Sequence, residues 1–248
     1  MLTILVINSK GGSGKTTLTT NLASYYANKK LRTVIADYDP QGSSLHWLKT
    51  RPVTLENIRG ANAAPAKGNS HLNSQKSWVP LDTEVLVIDA PAGTTGLLLK
   101  DLVRRANFIV IPVAPSPIDI HATADFIKDL FLVGGARTAN VKIAVVANRV
   151  RNRATPTYAA LERFLNSLKM PFLTSISDSD IYIQAVEEGM GIFEMDEVTT
   201  GRERQELMPI LRWLDGHFPN RFGVRADDKV ISLESSRKWA AYRAGSTG

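Results

Sequence analysis

Leu2-Thr3-Ile4-Leu5-Val6-Ile7-Asn8-Ser9-Lys10-Gly11-Gly12-Ser13-Gly14-Lys15-Thr16-Thr17 is the stretch on which the fold turns. Leu2 to Ile7 is an apolar run of the kind that becomes a strand buried on both faces. Gly11 to Thr17 follows, and from Thr16 to Lys29 apolar residues recur at helical spacing (Leu18, Leu22, Ala23, Tyr26). Strand, glycine loop and helix in that order make a phosphate loop. Glycines let successive N–H groups turn inward around phosphate oxygens, and the helix N-terminus adds a favourable dipole. Lys15 then neutralises the β- and γ-phosphates, and Thr16 offers Mg²⁺ a hydroxyl, suited to a cation that takes oxygen ligands and keeps several waters. The alternative is a chance glycine-rich turn.

Further strands follow at Thr33–Ala36, Val85–Ile88, Phe108–Val113, Val141–Ala147 and Phe172–Ile176. Between and after them, Ser43–Lys49, Leu97–Arg105, His121–Val133, Tyr158–Leu168, Ile181–Glu188 and Gln205–Phe218 read as helices, with Pro115-Ser116-Pro117 as a stop after a strand. Residues 51–80 carry the least pattern, and within them Ala61–Ser77, rich in Ala, Asn, Ser, Gly and Lys, reads as a surface excursion with at most a short helix. This alternation predicts an α/β fold: a doubly wound, mostly parallel sheet with helices on both faces. No Pro/Gly/Ser-rich linker divides the chain, so residues 1–248 are expected to form a single domain, with 220–248 a basic C-terminal extension. In such sheets ligands gather at the carboxyl ends of the strands. Lys10, Asp37, Asp39, Asp89, Ser116 and Asn148 all fall there.

Val85-Leu86-Val87-Ile88-Asp89 delivers one carboxylate beside the glycine loop, where Asp89 can hold Mg²⁺ through water; an Asp at a strand end also serves as an ordinary cap. Asp37 and Asp39 place two carboxylates at another strand end, and like charges so close call for a cation nearby. Asp37 is expected in a supporting Mg²⁺ role and Asp39 in positioning or deprotonating the attacking water. A turn shaped by Asp39-Pro40 is the other reading.

Several classes are excluded by composition. With no cysteine in 248 residues, disulfide scaffolds, thiolate zinc sites, iron–sulfur clusters and cysteine nucleophiles are out. No run approaches the roughly 20 apolar residues of a membrane span, and no basic leader precedes the first strand, so a cytoplasmic location is expected. Lys and Arg outnumber Asp and Glu by 30 to 24, a net charge of +6 with a pI near 9.5. That suits a polyanionic partner, although a basic surface alone requires none.

Lys10-Gly11-Gly12-Ser13-Gly14-Lys15-Thr16-Thr17 resembles the deviant Walker A motif of the ParA/MinD superfamily, marked by its additional early lysine. Asp37-Tyr38-Asp39-Pro40-Gln41-Gly42-Ser43 is similar to the second motif of that superfamily, and Asp89-Ala90-Pro91-Ala92-Gly93 to its Walker B segment. Ile111-Pro112-Val113-Ala114-Pro115-Ser116-Pro117 with Asp119 resembles the strand and turn of small ParA partition ATPases. The resemblance runs in order from residue 1 to about residue 195. It implies an ATP- and Mg²⁺-dependent ATPase, slow without a partner, that dimerises around ATP, binds nonspecific DNA at the nucleoid, positions a plasmid, chromosome or protein assembly, and is reset by an adaptor protein. It further implies that Lys10 reaches the partner protomer's phosphates and that Asn148 contacts adenine, where an ordinary strand-ending Asn is the alternative.

One segment departs from the family pattern. Ser177-Asp178-Ser179-Asp180 is acidic where many ParA proteins carry DNA-contacting arginines. The contacts then fall to Arg149, Arg151, Arg153, Arg202, Arg204 and a tail cluster of Arg221, Arg225, Arg237, Lys238 and Arg243, each of which is otherwise a solvated surface charge. A membrane switch of the MinD kind needs a C-terminal amphipathic helix, for which Val230–Arg243 is a poor candidate, so no membrane partner is expected. A metabolic ATP-dependent enzyme of the same fold is the remaining alternative, and Lys10 weighs against it.

Overall fold

The computed structural model describes residues 1–65 and 79–217. Seven parallel strands form one sheet in the order β3-β2-β4-β1-β5-β6-β7: β1 Leu2–Val6, β2 Thr33–Asp37, β3 Ile58–Asn62, β4 Val85–Asp89, β5 Phe108–Val113, β6 Lys142–Val150 and β7 Phe172–Ser177. The helices are α1 Lys15–Asn28, α2 Ser43–Thr50, α3 Gly96–Arg105, α4 Pro117–Leu132, α5 Pro156–Ser167, α6 Asp180–Glu187 and α7 Glu197–Gly216, with a 3₁₀ turn at Ile192–Glu194. β1, β2, β4 and β5 are buried along their whole length, which is why they read as unbroken apolar runs. Alternate side chains still separate the two layers. Leu5, Val34, Leu86, Ile109 and Val145 form one core with α3, α4 and α5, while α1 and α2 pack against β2 and its neighbours from the other side. The doubly wound, parallel α/β architecture read from the sequence is the one observed.

After β3 the chain reverses direction along the sheet, inserting β4 between β2 and β1 and then laying β5 on the other side of β1. The loop leaving β1 therefore opens at the crevice where such sheets bind ligands.

Three elements differ from the sequence reading. β3 falls within the unpatterned stretch 51–80; it is an edge strand with one buried side chain, Ile58, so it carries no apolar run. Its Gly60 lies where a Cβ would meet Leu45 and Leu48 of α2 at 2.8 and 2.7 Å, so the glycine serves packing rather than a turn. Helix α4 begins at Pro117, because a proline is favoured at the first helical position and Ser116 caps it by accepting from the Asp119 N–H. Helix α7 begins at Glu197, two turns before the expected start, and contains Pro209. Residues 66–78, Phe218 and the whole extension 220–248, with Arg221, Arg225, Arg237, Lys238, Arg243 and the Val230–Arg243 segment, lie outside the described residues.

The chain divides into two compact units, Met1–Ile210 and Leu211–Gly248. The first holds the whole sheet; of the second, the last residues of α7 and His217 are described.

On the α1/α2 side, a buried ion pair ties the end of α2 to the 3₁₀ turn. Arg51 and Glu194 are 6% and 2% exposed and paired through both guanidinium nitrogens, one contact at 2.7 Å. Arg51 also donates to the carbonyls of Glu56 and Gly189 and stacks on Trp47, whose Nε1 donates to the Met190 carbonyl. Removing one partner of such a pair strands a buried charge, at a cost of about 3–5 kcal/mol, whereas replacing both with apolar residues is often neutral. Glu194→Gln is thus expected to lower the urea midpoint sharply and Arg51→Met with Glu194→Met to recover much of it, as read by circular dichroism. A fully wild-type midpoint in Glu194→Gln would contradict the assignment.

Candidate functional site

The loop from Lys10 to Gly14 closes on itself. Lys15 Nζ donates to the Lys10 carbonyl at 3.0 Å, and Ser13 Oγ donates to the same oxygen at 3.2 Å. Gly14 caps α1 in a left-handed conformation, φ +87°, and a Cβ there would sit 1.9 Å from the Asn148 amide nitrogen, so the position admits no side chain. Lys15 is 7% exposed. Burial pulls its ammonium below the usual lysine range, and the carboxylates of Asp89 and Asp39 oppose that shift. An ammonium desolvated in this way, facing carboxylates and next to a helix N-terminus, is well disposed toward phosphate oxygens.

Parallel register sets Asp37 of β2 directly beside Asp89 of β4. The two carboxylates are satisfied very differently. Asp37 accepts four hydrogen bonds, from the N–H groups of Asp39, Ser44 and Leu45 and from the Ser44 hydroxyl, at 2.6–3.3 Å. It thereby anchors the first turn of α2. Asp89 takes a hydrogen bond from Thr16, but its Oδ2 is buried without a partner. Burial, and then the Asp37 charge, push Asp89 up to about 7. An orphaned carboxylate oxygen beside a threonine hydroxyl fits a divalent cation. The described residues hold no cluster of three or more acidic or histidine ligands, so the cation must complete its shell with water and substrate oxygens, as Mg²⁺ does.

A cavity of about 640 Å³ lies over these groups, bounded by the glycine loop, Thr16, Thr17, Asp39, Gln41, Asn148 and, opposite, Ser177 to Ser179 with Tyr182, Ile183 and Val186 of α6. Asp39 sits half-buried on its wall, one oxygen accepting from the Gln41 N–H at 2.9 Å. Asn148 is buried, and its amide donates to the Ser13 carbonyl at 2.8 Å. Lys10 stands at the outer end of the loop, half-exposed, in an adjoining cavity shared with Asp119, Arg149 and Arg151.

Sequence reasoning placed all the nucleotide and metal candidates at one edge of the sheet, and there they meet: Lys10, Gly11, Gly12, Ser13, Gly14, Lys15, Thr16, Thr17, Asp37, Asp39, Asp89 and Asn148. It missed Ser44 and the lining from β7 and α6. Ser44 carries no signal beyond being a small polar residue at a helix start.

A sequence model of the CobQ/CobB/MinD/ParA nucleotide binding domain matches residues 4–192. The chain belongs to that family. Maintenance of carboxysome distribution protein A of Halothiobacillus neapolitanus is 30% identical over 198 residues, 78% of this chain and 87% of that protein. Among solved structures, apo McdA of Cyanothece matches with a TM-score of 0.65 at 16% identity, covering 85% of this chain and 99% of that one. The MinD cell division protein of Aquifex aeolicus matches with a TM-score of 0.65 at 19% identity, covering 87% and 97%. At those identities the structural likeness speaks for the fold.

Of the arginines singled out as DNA contacts in this ParA/MinD-family domain, the five among the described residues are engaged within the chain. Arg149 and Arg151 share Asp178 at 3.1 and 2.9 Å. Arg153 and Arg202 share Glu206 at 3.6 and 3.2 Å. Arg204 bonds Thr200 and the Met195 carbonyl and stacks on Phe193.

The elevated Asp89 has a consequence for stability. An unfolded chain ionises this carboxyl near 3.8, so between about pH 4 and pH 7 unfolding releases a proton that the folded state holds, and stability falls as pH rises through that window. In metal-free, nucleotide-free protein at pH 8, Asp89→Asn is expected to raise the calorimetric midpoint by roughly 2 °C or more, with little change at pH 4. A lower midpoint at pH 8 would count against the buried, unpartnered carboxylate.

Proposed function

We propose that this chain is a ParA-type ATPase: a switch that dimerises around ATP and Mg²⁺, holds nonspecific DNA, positions a cargo, and is reset when an adaptor protein stimulates hydrolysis. The observation that carries the reading is Lys10. Lys15 already closes the loop and faces its phosphate position, whereas the Lys10 ammonium has no hydrogen-bond or ion-pair partner among the described residues, at the loop's outer end. A second, uncommitted lysine there is suited to a neighbouring protomer's phosphates, where extra positive charge offsets what develops during phosphoryl transfer.

The geometry supports the following division of labour. The N–H groups of Gly11 to Lys15 and the Lys15 ammonium hold the β- and γ-phosphates. Thr16 and Asp89 would hold Mg²⁺, with Asp37 fixing the strand edge beside them. When bound, that cation neutralises charge between the β- and γ-oxygens. Asp39 orients the attacking water and accepts its proton as the bond from the γ-phosphorus to the ADP oxygen breaks. Asn148 borders the same cavity, and its contact with adenine fits its place beside Gly14.

For the cargo, the 30% identity to a carboxysome distribution protein across 78% of the chain favours a protein assembly over a plasmid or chromosome. For DNA, ion pairing leaves Arg151 and Arg202 largely exposed, with donors to spare beyond those spent on Asp178 and Glu206. Such binding rests on phosphate neutralisation and weakens steeply with salt, and dimerisation doubles the contacts, so the ATP form holds on. No described helix is long and apolar enough to cross a membrane.

Lys15→Ala is expected to abolish ATP binding. Asp39→Ala should bind ATP, turn over far more slowly and accumulate as a dimer on size-exclusion chromatography. Lys10→Ala should bind ATP as a monomer without dimerising; an ATP dimer of unchanged strength in that variant would sink the trans role. Arg151→Glu with Arg153→Glu is expected to weaken DNA sedimentation equally on all sequences. ATP-bound protein that ignored DNA at low salt but sedimented with anionic liposomes would replace the DNA reading with a membrane one.

A further inference from the structure

We propose that Arg149 is a positioning residue for the phosphate loop, held in place by Asp178, rather than a surface cation awaiting DNA. The inference rests on the phosphate-binding reading of Lys10 to Lys15 and adds a component from outside that motif.

In a loop that turns its N–H groups inward, the carbonyls point outward, and a peptide plane is rigid. Fixing a carbonyl therefore fixes the N–H of the next residue. The Lys10 carbonyl, held by Lys15 Nζ and Ser13 Oγ, sets the N–H of Gly11. The next two carbonyls to be held are bonded by consecutive residues at the end of β6. Asn148 takes the Ser13 carbonyl at 2.8 Å and so sets the N–H of Gly14; Arg149 Nη1 donates to the Gly12 carbonyl at 3.3 Å and so sets the N–H of Ser13. Without Arg149, the Gly12–Ser13 plane has no side chain holding it, and it adjoins a glycine free to pivot at φ +74°.

Two features argue that this contact is built. Arg149 adopts a left-handed backbone, φ +57°, which disfavours a side chain with a Cβ and so needs a compensating contact. The same guanidinium is gripped from its other edge, Nε to Asp178 Oδ1 at 3.1 Å, while Arg151 takes Asp178 Oδ2 at 2.9 Å. Hydrogen bonds from Arg151, and then Arg149, hold the Asp178 carboxyl below its usual range. The acidic segment after β7, which departs from the basic pattern of the family, thus serves to orient a guanidinium over the loop.

Arg149→Asn is the discriminating variant, because asparagine tolerates the left-handed backbone while lacking the guanidinium. With fluorescent nucleotides and no DNA present, its affinity for ADP and for ATP should fall by about tenfold each, the scale of one charge-assisted hydrogen bond, while adenosine affinity and the nucleotide-free melting midpoint stay near wild type. Arg149→Lys should fail to restore affinity, since a point charge cannot bond the Gly12 carbonyl and Asp178 together. Asp178→Asn should shift ADP affinity in the same direction, and the double variant should be no worse than Arg149→Asn alone. Unchanged ADP affinity in Arg149→Asn, or full rescue by lysine, would overturn the proposal; wild-type protein that bound no ADP would instead overturn the phosphate-loop reading beneath it.

Discussion

Two buried carboxylates set side by side in a parallel sheet are the constraint from which the site follows. The register that aligns Asp37 with Asp89 leaves no room to separate them, and their mutual repulsion in a buried setting has to be offset. The protein resolves the conflict unequally. Asp37 is surrounded by donors from the start of α2. Asp89 is left with one oxygen unmet and an affinity for its proton far above normal. A buried carboxylate oxygen left without a partner beside a threonine hydroxyl fits a divalent cation.

From that point the other elements fall into relation. Because Asp37 anchors the first turn of α2, the segment Asp39-Pro40-Gln41-Gly42 is slung between an anchored strand end and an anchored helix. At its far end, α2 is tied by Arg51 and Glu194 to the 3₁₀ turn, whose Ile192 N–H donates to Asn21 of α1 at 2.8 Å. Asn21 in turn donates to the Thr17 carbonyl at the base of the glycine loop. The Asp39 segment and the phosphate loop thus share one framework of polar contacts.

Much of this was legible in the residues. Fully buried strands announce themselves as apolar runs, and a loop that must turn its N–H groups inward needs the glycines it has. What stayed illegible has physical reasons. β3 is an edge strand with little to bury, so Ile58-Arg59-Gly60-Ala61-Asn62 carries no pattern. The proline that read as a stop before α4 is also the residue best suited to start a helix. Arg149, Arg151 and Arg153 looked like free surface charges because their partners, Asp178 and Glu206, lie far along the chain, a separation over which local sequence carries no information; the Arg202–Glu206 pair, four residues apart on α7, was within reach of helical spacing.

The account depends most on Lys10 acting across an interface, and mixing two impaired variants tests this directly. Lys10→Ala keeps Lys15 and Asp39 but lacks the reaching lysine; Asp39→Ala keeps Lys10 but turns over far more slowly. In a mixed dimer, the site on the Lys10→Ala protomer receives Lys10 from its neighbour and regains every group it needs. Phosphate release by the mixture should then rise well above the sum of the two variants alone, with a dependence on protein concentration. A rate equal to that sum at every mixing ratio would contradict the trans role of Lys10.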